Sequence, residues 1–422
     1  MQFIFKLFFL LFLINCENRT LNEVRFDKGP VEVIRKYQIY STKEILEKTK
    51  GYPPAVGSGL VFLERKGDDL FFYAISDRGP NAPIELNNMN KVIFFVPEYT
   101  PIVAKIKVSE QKAEIIDFFS PLKFNGREYT GMPVNGIEGK GFYETPVNDK
   151  LEDIKEYEKG IDSESIALDP EGNIWIGEEY EPSIIKLDKN TKKTLKIYKP
   201  GDGLPDYIKN KQINRGFESI AFTPDGNLCA ILEGTLNFDN RTASKSLFIR
   251  FFKIDPKTDK IKVFAYKFDR DIYPSSKKVK IGDLVAVNND EFLLVEQGET
   301  KSGSVHNIIY KINIKDATDI SNHISSDGTH LEHLENLGGI KVIKKEKLLE
   351  VNKFGWAESK LEGLAIVDKN TIAISNDNDF GIEYVVQHKD CKDNSCNKTY
   401  VHKPENKQHT ELWVIKLRNA IY

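Results

Sequence analysis

The sequence predicts an all-β protein, a β-propeller of four-stranded blades. A weak internal repeat organises nearly everything after residue 50, each copy carries an apolar strand followed by a turn cluster and hairpins, and helical periodicity is scarce. With 422 residues, 40% of them hydrophobic, the chain can bury a core for one large domain or two ordinary ones. The formal net charge of −3 and the even spread of Lys and Arg argue against a nucleic-acid partner.

Five openings define the repeat: Ser58-Gly59-Leu60-Val61-Phe62, Glu164-Ser165-Ile166-Ala167-Leu168, Glu218-Ser219-Ile220-Ala221-Phe222, Asp283-Leu284-Val285-Ala286-Val287 and Glu362-Gly363-Leu364-Ala365-Ile366. Each starts small or acidic and becomes apolar. Turns such as Asp169-Pro170-Glu171-Gly172-Asn173 and Thr223-Pro224-Asp225-Gly226-Asn227 follow, supplying the dihedrals that tight reversals need. Second strands are read at Phe71–Ser76, Ile174–Gly177, Leu228–Leu232, Phe292–Val295 and Thr371–Ser375. Longer hairpins then complete four-stranded units, for instance Ile102–Val108 with Ala113–Phe119. A helical insertion is expected near Thr329–Leu337. The last unit has strands only at Leu361–Val367, Thr371–Ser375 and Glu411–Leu417, while Val31–Tyr40 is strand-like and unassigned. Pairing that N-terminal strand into the last blade would close the ring and hide both edges. Five units are clear; a degenerate blade in 121–160 or 315–355 leaves a range of five to seven.

In a blade the first strand lies nearest the channel and runs antiparallel to the second, so the start of one lies beside the end of the other. Ser58, Glu164, Glu218, Asp283 and Glu362 open the first strands. Asp77-Arg78, Glu178-Glu179, Glu233, Glu296 and Asn376-Asp377-Asn378-Asp379 end the second strands. The units therefore send acids to one channel mouth. So many hard oxygen donors at close range suit Ca²⁺ or Mg²⁺ better than zinc, Ca²⁺ being the expected ion, with Glu164, Glu179, Glu218, Glu233, Asp283, Glu296, Glu362 and Asp377 as candidate ligands. The bland reading of any one acid is a turn cap facing water; the signal is the alignment. Arg78 and Arg215 flank the acids and could bind a substrate anion or neutralise the carboxylates.

Other chemistry is sparse. No nucleophile elbow or phosphate loop is present, and Ser163, Ser165 and Ser219 have no evident histidine, since all seven histidines lie from His306 onward. His330 and His333 read as solvated helix residues, and Cys229, in an apolar run, as an inert buried thiol.

The N-terminal run from Phe3 to Ile14 has the length of a signal-peptide core and is too short to span a bilayer as a mature helix. It ends in Leu13-Ile14-Asn15-Cys16, which resembles a relaxed lipobox with Asn15 as the departure; an ordinary signal peptide is the alternative. The expected layout is a leader over 1–16 with Cys16 acylated, a tether over 17–30 and the propeller over 31–422, in an exported, membrane-anchored monomer. Export would make Cys391 and Cys396 a local disulfide; half of a zinc site is the alternative.

Together, Ser76-Asp77-Arg78-Gly79-Pro80-Asn81, the repeated Glu-Ser-Ile-Ala, Gly177-Glu178-Glu179-Tyr180, Glu362-Gly363-Leu364-Ala365 and Asn376-Asp377-Asn378-Asp379-Phe380 resemble the bacterial phytase-like family, also called esterase-like activity of phytase, over about residues 50 to 415. The resemblance implies an exported β-propeller, hydrolysis of phosphate or other esters, and functional weight on Asp77, Arg78, Glu164, Glu179, Glu218 and Glu362. Asp77, Arg78, Glu179 and Glu218 are the catalytic candidates, with Arg78 or Arg215 holding the substrate. A non-catalytic surface propeller with structural calcium is the first alternative. A lactonase-like esterase is the second, since a neutral substrate would escape repulsion by the acids.

Overall fold

The apolar openings become the inner strands of five blades. The computed structural model describes residues 23–86, 89–134, 144–322, 324, 328–382 and 409–422. Blade I consists of Gly59–Lys66, Asp69–Ile75, Val103–Val108 and Ala113–Phe119, and blade II of Ser163–Leu168, Ile174–Glu178, Ser183–Leu187 and Thr194–Pro200. Blade III consists of Phe217–Phe222, Leu228–Leu232, Ile249–Asp255 and Lys260–Tyr266, and blade IV of Val279–Ala286, Glu291–Glu299, Val305–Asn313 and Lys344–Glu350. Gly363–Asp368, Thr371–Ser375 and Glu411–Leu417 form blade V, and Val31–Tyr40 is its outermost full strand, running antiparallel from Val31↔Leu417 to Gln38↔Glu411. The expected N-terminal closure is therefore present. That strand also reaches blade I, where Ile39 and Tyr40 pair with Ala113 and Glu114.

Region 121–160 holds no further blade among the described residues: its strand Thr145–Val147 pairs with Met89–Phe94 in a small accessory sheet completed by Asn81–Leu86. Region 315–355 supplies the fourth strand of blade IV. The helix expected at Thr329–Leu337 is only a 3₁₀ turn over Leu331–His333. Its apolar spacing serves docking of a loop: Glu332 is buried against Arg250 at 2.6 and 3.0 Å, and His330 stacks on Phe238 with ring centroids 3.8 Å apart. Glu23–Arg25, within the expected tether, pairs with Val33–Arg35.

The core lies between neighbouring blades. Trp175 of blade II meets Phe222 of blade III at 5.2 Å, and Phe251 of blade III meets Phe292 of blade IV at 5.3 Å. Closer to the axis, polar side chains of the inner strands and their neighbours bridge every joint. Ser163 Oγ donates to Ser76 O (2.7 Å), Ser165 Oγ to Phe217 O (3.3 Å), and Ser219 Oγ to Gly282 O (3.1 Å). The Leu364 amide donates to Asp283 Oδ2 (2.7 Å), and Ser375 Oγ to Gly57 O (3.4 Å). Three of the accepting carbonyls, those of Gly57, Phe217 and Gly282, sit directly before an inner-strand opening residue. Gly177 lets one of these bridges form: a Cβ there would lie 2.1 Å from Ser165 Oγ and 2.7 Å from Phe217 O. The serines beside the acids are thus interblade hydrogen-bond donors, buried in that role.

Candidate functional site: a buried carboxylate cluster at the channel mouth

Local backbone geometry aims the acids. In blade II the ladder steps from Ser163↔Glu178 to Ser165↔Gly177, leaving Glu164 as an extra residue; in blade III the same happens to Glu218, between Phe217↔Leu232 and Ser219↔Ile231. Such bulges turn a side chain out of the pleat. The second strands of both blades end here, freeing the next residue to turn inward. The Glu179 amide bonds Asp162 O, and the Glu233 amide bonds Gly216 O, each at 2.9 Å.

Three overlapping triads result: Asp162, Glu164 and Glu179; Glu164, Glu218 and Glu362; Glu179, Glu218 and Glu233. Within each, one carboxylate oxygen per residue lies within 4.8 Å of the others, and all six residues are buried. Among the described residues, no hydrogen bond reaches the carboxylates of Glu164, Glu179, Glu218 or Glu362, while Asp162 Oδ2 and Glu233 Oε2 are buried and touched only by the ion pairs with Arg78 (3.4 Å) and Arg215 (3.0 Å). An all-carboxylate donor set with orphaned oxygens fits a hard divalent cation. The cluster could hold a metal ion.

The electrostatics agree. Burial raises Glu164 and Glu218 well above the usual carboxylate range, reinforced by neighbouring acids. Burial, with the charges of Glu233 and Asp162, raises Glu179 to about 8. Burial also raises Glu362 to about 8, with Asp377 adding to it while Lys360 and Lys280 oppose it.

Five of the proposed ligands, Glu164, Glu179, Glu218, Glu233 and Glu362, come together. The other three do not join them. Asp283 accepts the amides of Leu284 and Leu364, both at 2.7 Å, and serves as the bridge between blades IV and V. Asp377 ion-pairs with Lys360 and accepts the Asp379 amide at 2.9 Å. Glu296 points away from the mouth because its strand continues to Glu299 and keeps its pleat. It lies between blades III and IV, taking Tyr266 Oη (2.6 Å), Tyr273 Oη (3.2 Å) and Lys345 Nζ (2.9 Å). Of the remaining catalytic candidates, Asp77 is buried and accepts the Gly79 amide at 2.8 Å, outside the triads. Arg78 Nη1 reaches Glu144 (2.6 Å) and Asp162 (3.4 Å). Arg215 has both roles of a neutralising brace: Nε lies 3.0 Å from Glu233, and its Nη atoms donate to the carbonyls of Val279 and Lys277, each at 2.8 Å. Cys229 is buried, and burial raises its thiol. Cys16, Cys391 and Cys396 lie outside the described residues.

The sequence reading missed Asp162 and the lysines. Asp162 lies two residues before the opening Glu164, where the other units carry Val56, Gly216, Ile281 and Lys360. Lys280 pairs with Glu233, and Lys360 with Asp377 and Asp379. Lys211 sits in the loop before blade III, with Glu179, Glu178, Glu144 and Asp162 as its charged neighbours. Cations therefore interleave with the acids around the mouth.

This crowding makes stability pH-dependent in the absence of metal. Glu179 and Glu362 would titrate near 4.5 when unfolded and about 8 when folded. Their protonated forms stabilise the fold fully below the unfolded value, and that contribution is lost as pH rises through about 8. Each group changes stability by up to roughly 1.4 kcal/mol per pH unit within the window. The melting temperature of chelator-treated protein should fall between about pH 5 and pH 8.5, less steeply in Glu218→Gln; a flat profile for the parent protein would refute the crowding.

No curated protein matches the chain. Among solved structures, it is similar to a luciferin-regenerating enzyme (9% identity, covering 93% of this chain and 97% of that one, TM-score 0.36). It is also similar to virginiamycin B lyase from Staphylococcus aureus (11%, 91% and 99%, 0.32) and to the catalytic domain of a Coprinopsis cinerea GH62 α-L-arabinofuranosidase (8%, 92% and 98%, 0.37). These likenesses are too distant to bear on chemistry. A family model described as phytase-like, esterase-like activity of phytase, matches residues 57–380, from the residue before Ser58 to the end of the Asn376–Phe380 motif. The chain belongs to the phytase-like family.

Proposed function

We propose that this protein is a calcium-dependent hydrolase of phosphate or other esters that works at the acidic mouth of the propeller. The observation that carries the reading is the set of overlapping buried carboxylate triads sharing Glu164, Glu179 and Glu218, in a chain of the phytase-like family. Glu164, Glu218 and Glu362, with Asp162, Glu179 and Glu233 around them, would hold the cation. When bound, a divalent cation supplies Lewis-acid polarisation of the ester and lowers the pKa of a water. Glu179, raised to about 8, is suited to accept a proton from an attacking water at its carboxylate near neutral pH. Arg78, 11% exposed and lying over the Tyr180 ring, has donors beyond those facing Glu144 and Asp162 for an anionic substrate. The reading includes export and acylation of Cys16, which would give a stable anchor.

A second reading, a ligand-binding propeller with structural calcium, is favoured by one observation. The hydroxyls of Ser163, Ser165 and Ser219, the serines nearest the acids, donate to backbone carbonyls of neighbouring blades.

Turnover of p-nitrophenyl phosphate or p-nitrophenyl acetate should require calcium, disappear with chelator, and fall by roughly 100-fold or more in Glu179→Gln. Glu218→Gln should instead raise the calcium concentration needed. Full calcium binding without turnover on either ester would leave the binding module as the correct reading. Metabolic labelling with palmitate should mark the parent protein and spare Cys16→Ala; equal labelling of both would remove the anchor.

A further inference from the structure

The carboxylates of the triad Glu164, Glu218 and Glu362 are not aimed by the same means. Bulges turn Glu164 and Glu218 inward. Glu362 has none. The ladder of blade V begins at Gly363↔Ser375, so Glu362 lies just outside it, at the end of the connection from blade IV. Its carboxylate oxygen nevertheless lies within 4.8 Å of those of Glu164 and Glu218. Another device must fix the backbone that carries it.

Blade IV gives no carboxylate to the triads and supplies that device instead. Gln297 and Asn307 stand opposite each other on its second and third strands, 1% and 0% exposed, so their side chains share one face. The Leu361 amide, directly before Glu362, donates to Gln297 Oε1 at 2.8 Å. Asn307 Nδ2 donates to Glu358 O at 3.1 Å. Asn352 Nδ2 donates to Trp356 O at 3.2 Å, and Asn352 Oδ1 accepts the Asn307 amide at 2.7 Å. Side-chain amides of blade IV and the turn after it thus bond the connection at three points. Gly282, on the inner strand, leaves room for it: a Cβ there would lie 2.1 Å from Leu361 O and 3.2 Å from Gln297 Nε2. Gln297 also stands opposite Lys280 in the ladder, and Lys280 pairs with Glu233 of the neighbouring triad. A carboxylate at 297 could accept the same Leu361 amide, but it would add one more negative charge to a crowded mouth; glutamine accepts it without charge.

We propose that Gln297, supported by Asn307, is a positioning residue that holds Glu362 in its place in the cation site. The inference rests on the reading of the triads as a calcium site and assigns blade IV its part in that site.

Calcium titration of the full chain by calorimetry tests it. Gln297→Met matches the side chain in length and charge but offers Leu361 no oxygen, and it should weaken calcium binding by roughly tenfold or more. Gln297→Glu keeps an oxygen for the Leu361 amide and should bind calcium within about threefold of the parent protein or more tightly. Tyr310→Phe removes another hydrogen bond of blade IV, to Asp269, and should leave calcium affinity unchanged, which separates positioning from a general loss of stability. Should Gln297→Met fail to fold, Asn307→Leu takes its place, with a fall of about threefold or more expected. Calcium affinity equal to the parent's in the variant that folds overturns the proposal, as does failure of Gln297→Glu to restore it. Absence of a calcium isotherm in the parent protein is a different result: it sinks the calcium reading and takes this inference with it.

Discussion

Buried carboxylates with oxygens within 4.8 Å of one another repel strongly. At an effective dielectric of about 20, two full charges at that spacing oppose each other by on the order of 3 kcal/mol, before any cost of desolvation. Protons, lysines or a bound cation must offset this, and the rest of the mouth can be understood as the means of holding the acids together meanwhile. Bulges at Glu164 and Glu218 aim them inward. The interblade bridges from Ser165 and Ser219 fix the peptides just before Glu218 and Asp283. Because a bridge of this kind runs through every joint of the ring, the acids cannot separate without disturbing blade packing.

The same constraint explains why the blades differ. Blade IV extends its inner strand to Val279 and its second strand to Glu299. The extension removes Glu296 from the mouth and brings Lys280 in beside Glu233. Blade V adds Lys360 beside Asp377 and Asp379. The mouth is a mixed array of charges with a carboxylate centre between blades II, III and V.

Much of this was legible in the sequence. The strand Val31–Tyr40 and its closing role followed from a missing fourth strand and an unassigned apolar run. Glu164, Glu179, Glu218, Glu233 and Glu362 followed from the alignment of strand starts and ends. What was not legible depended on strand length and on neighbours distant in sequence. Glu296 occupies the aligned position, but whether a strand stops there or continues to Glu299 is set by pairing across the blade. The period near Thr329–Leu337 suggested a helix, yet those residues dock a loop through Arg250–Glu332 and Phe238–His330, contacts across about 80 residues or more. Asp162, Lys211 and Lys280 lie outside the repeated motif, so no alignment of units marks them.

In the proposed function the mouth keeps its carboxylates close by holding protons until a divalent cation replaces them. Calcium titration by calorimetry at neutral pH, in buffers of different ionisation enthalpy, tests this directly, because ligands that must deprotonate release their protons on binding. Saturable calcium binding with release of protons is expected, both reduced in Glu218→Gln. Absence of calcium binding, or binding without proton release, would contradict it.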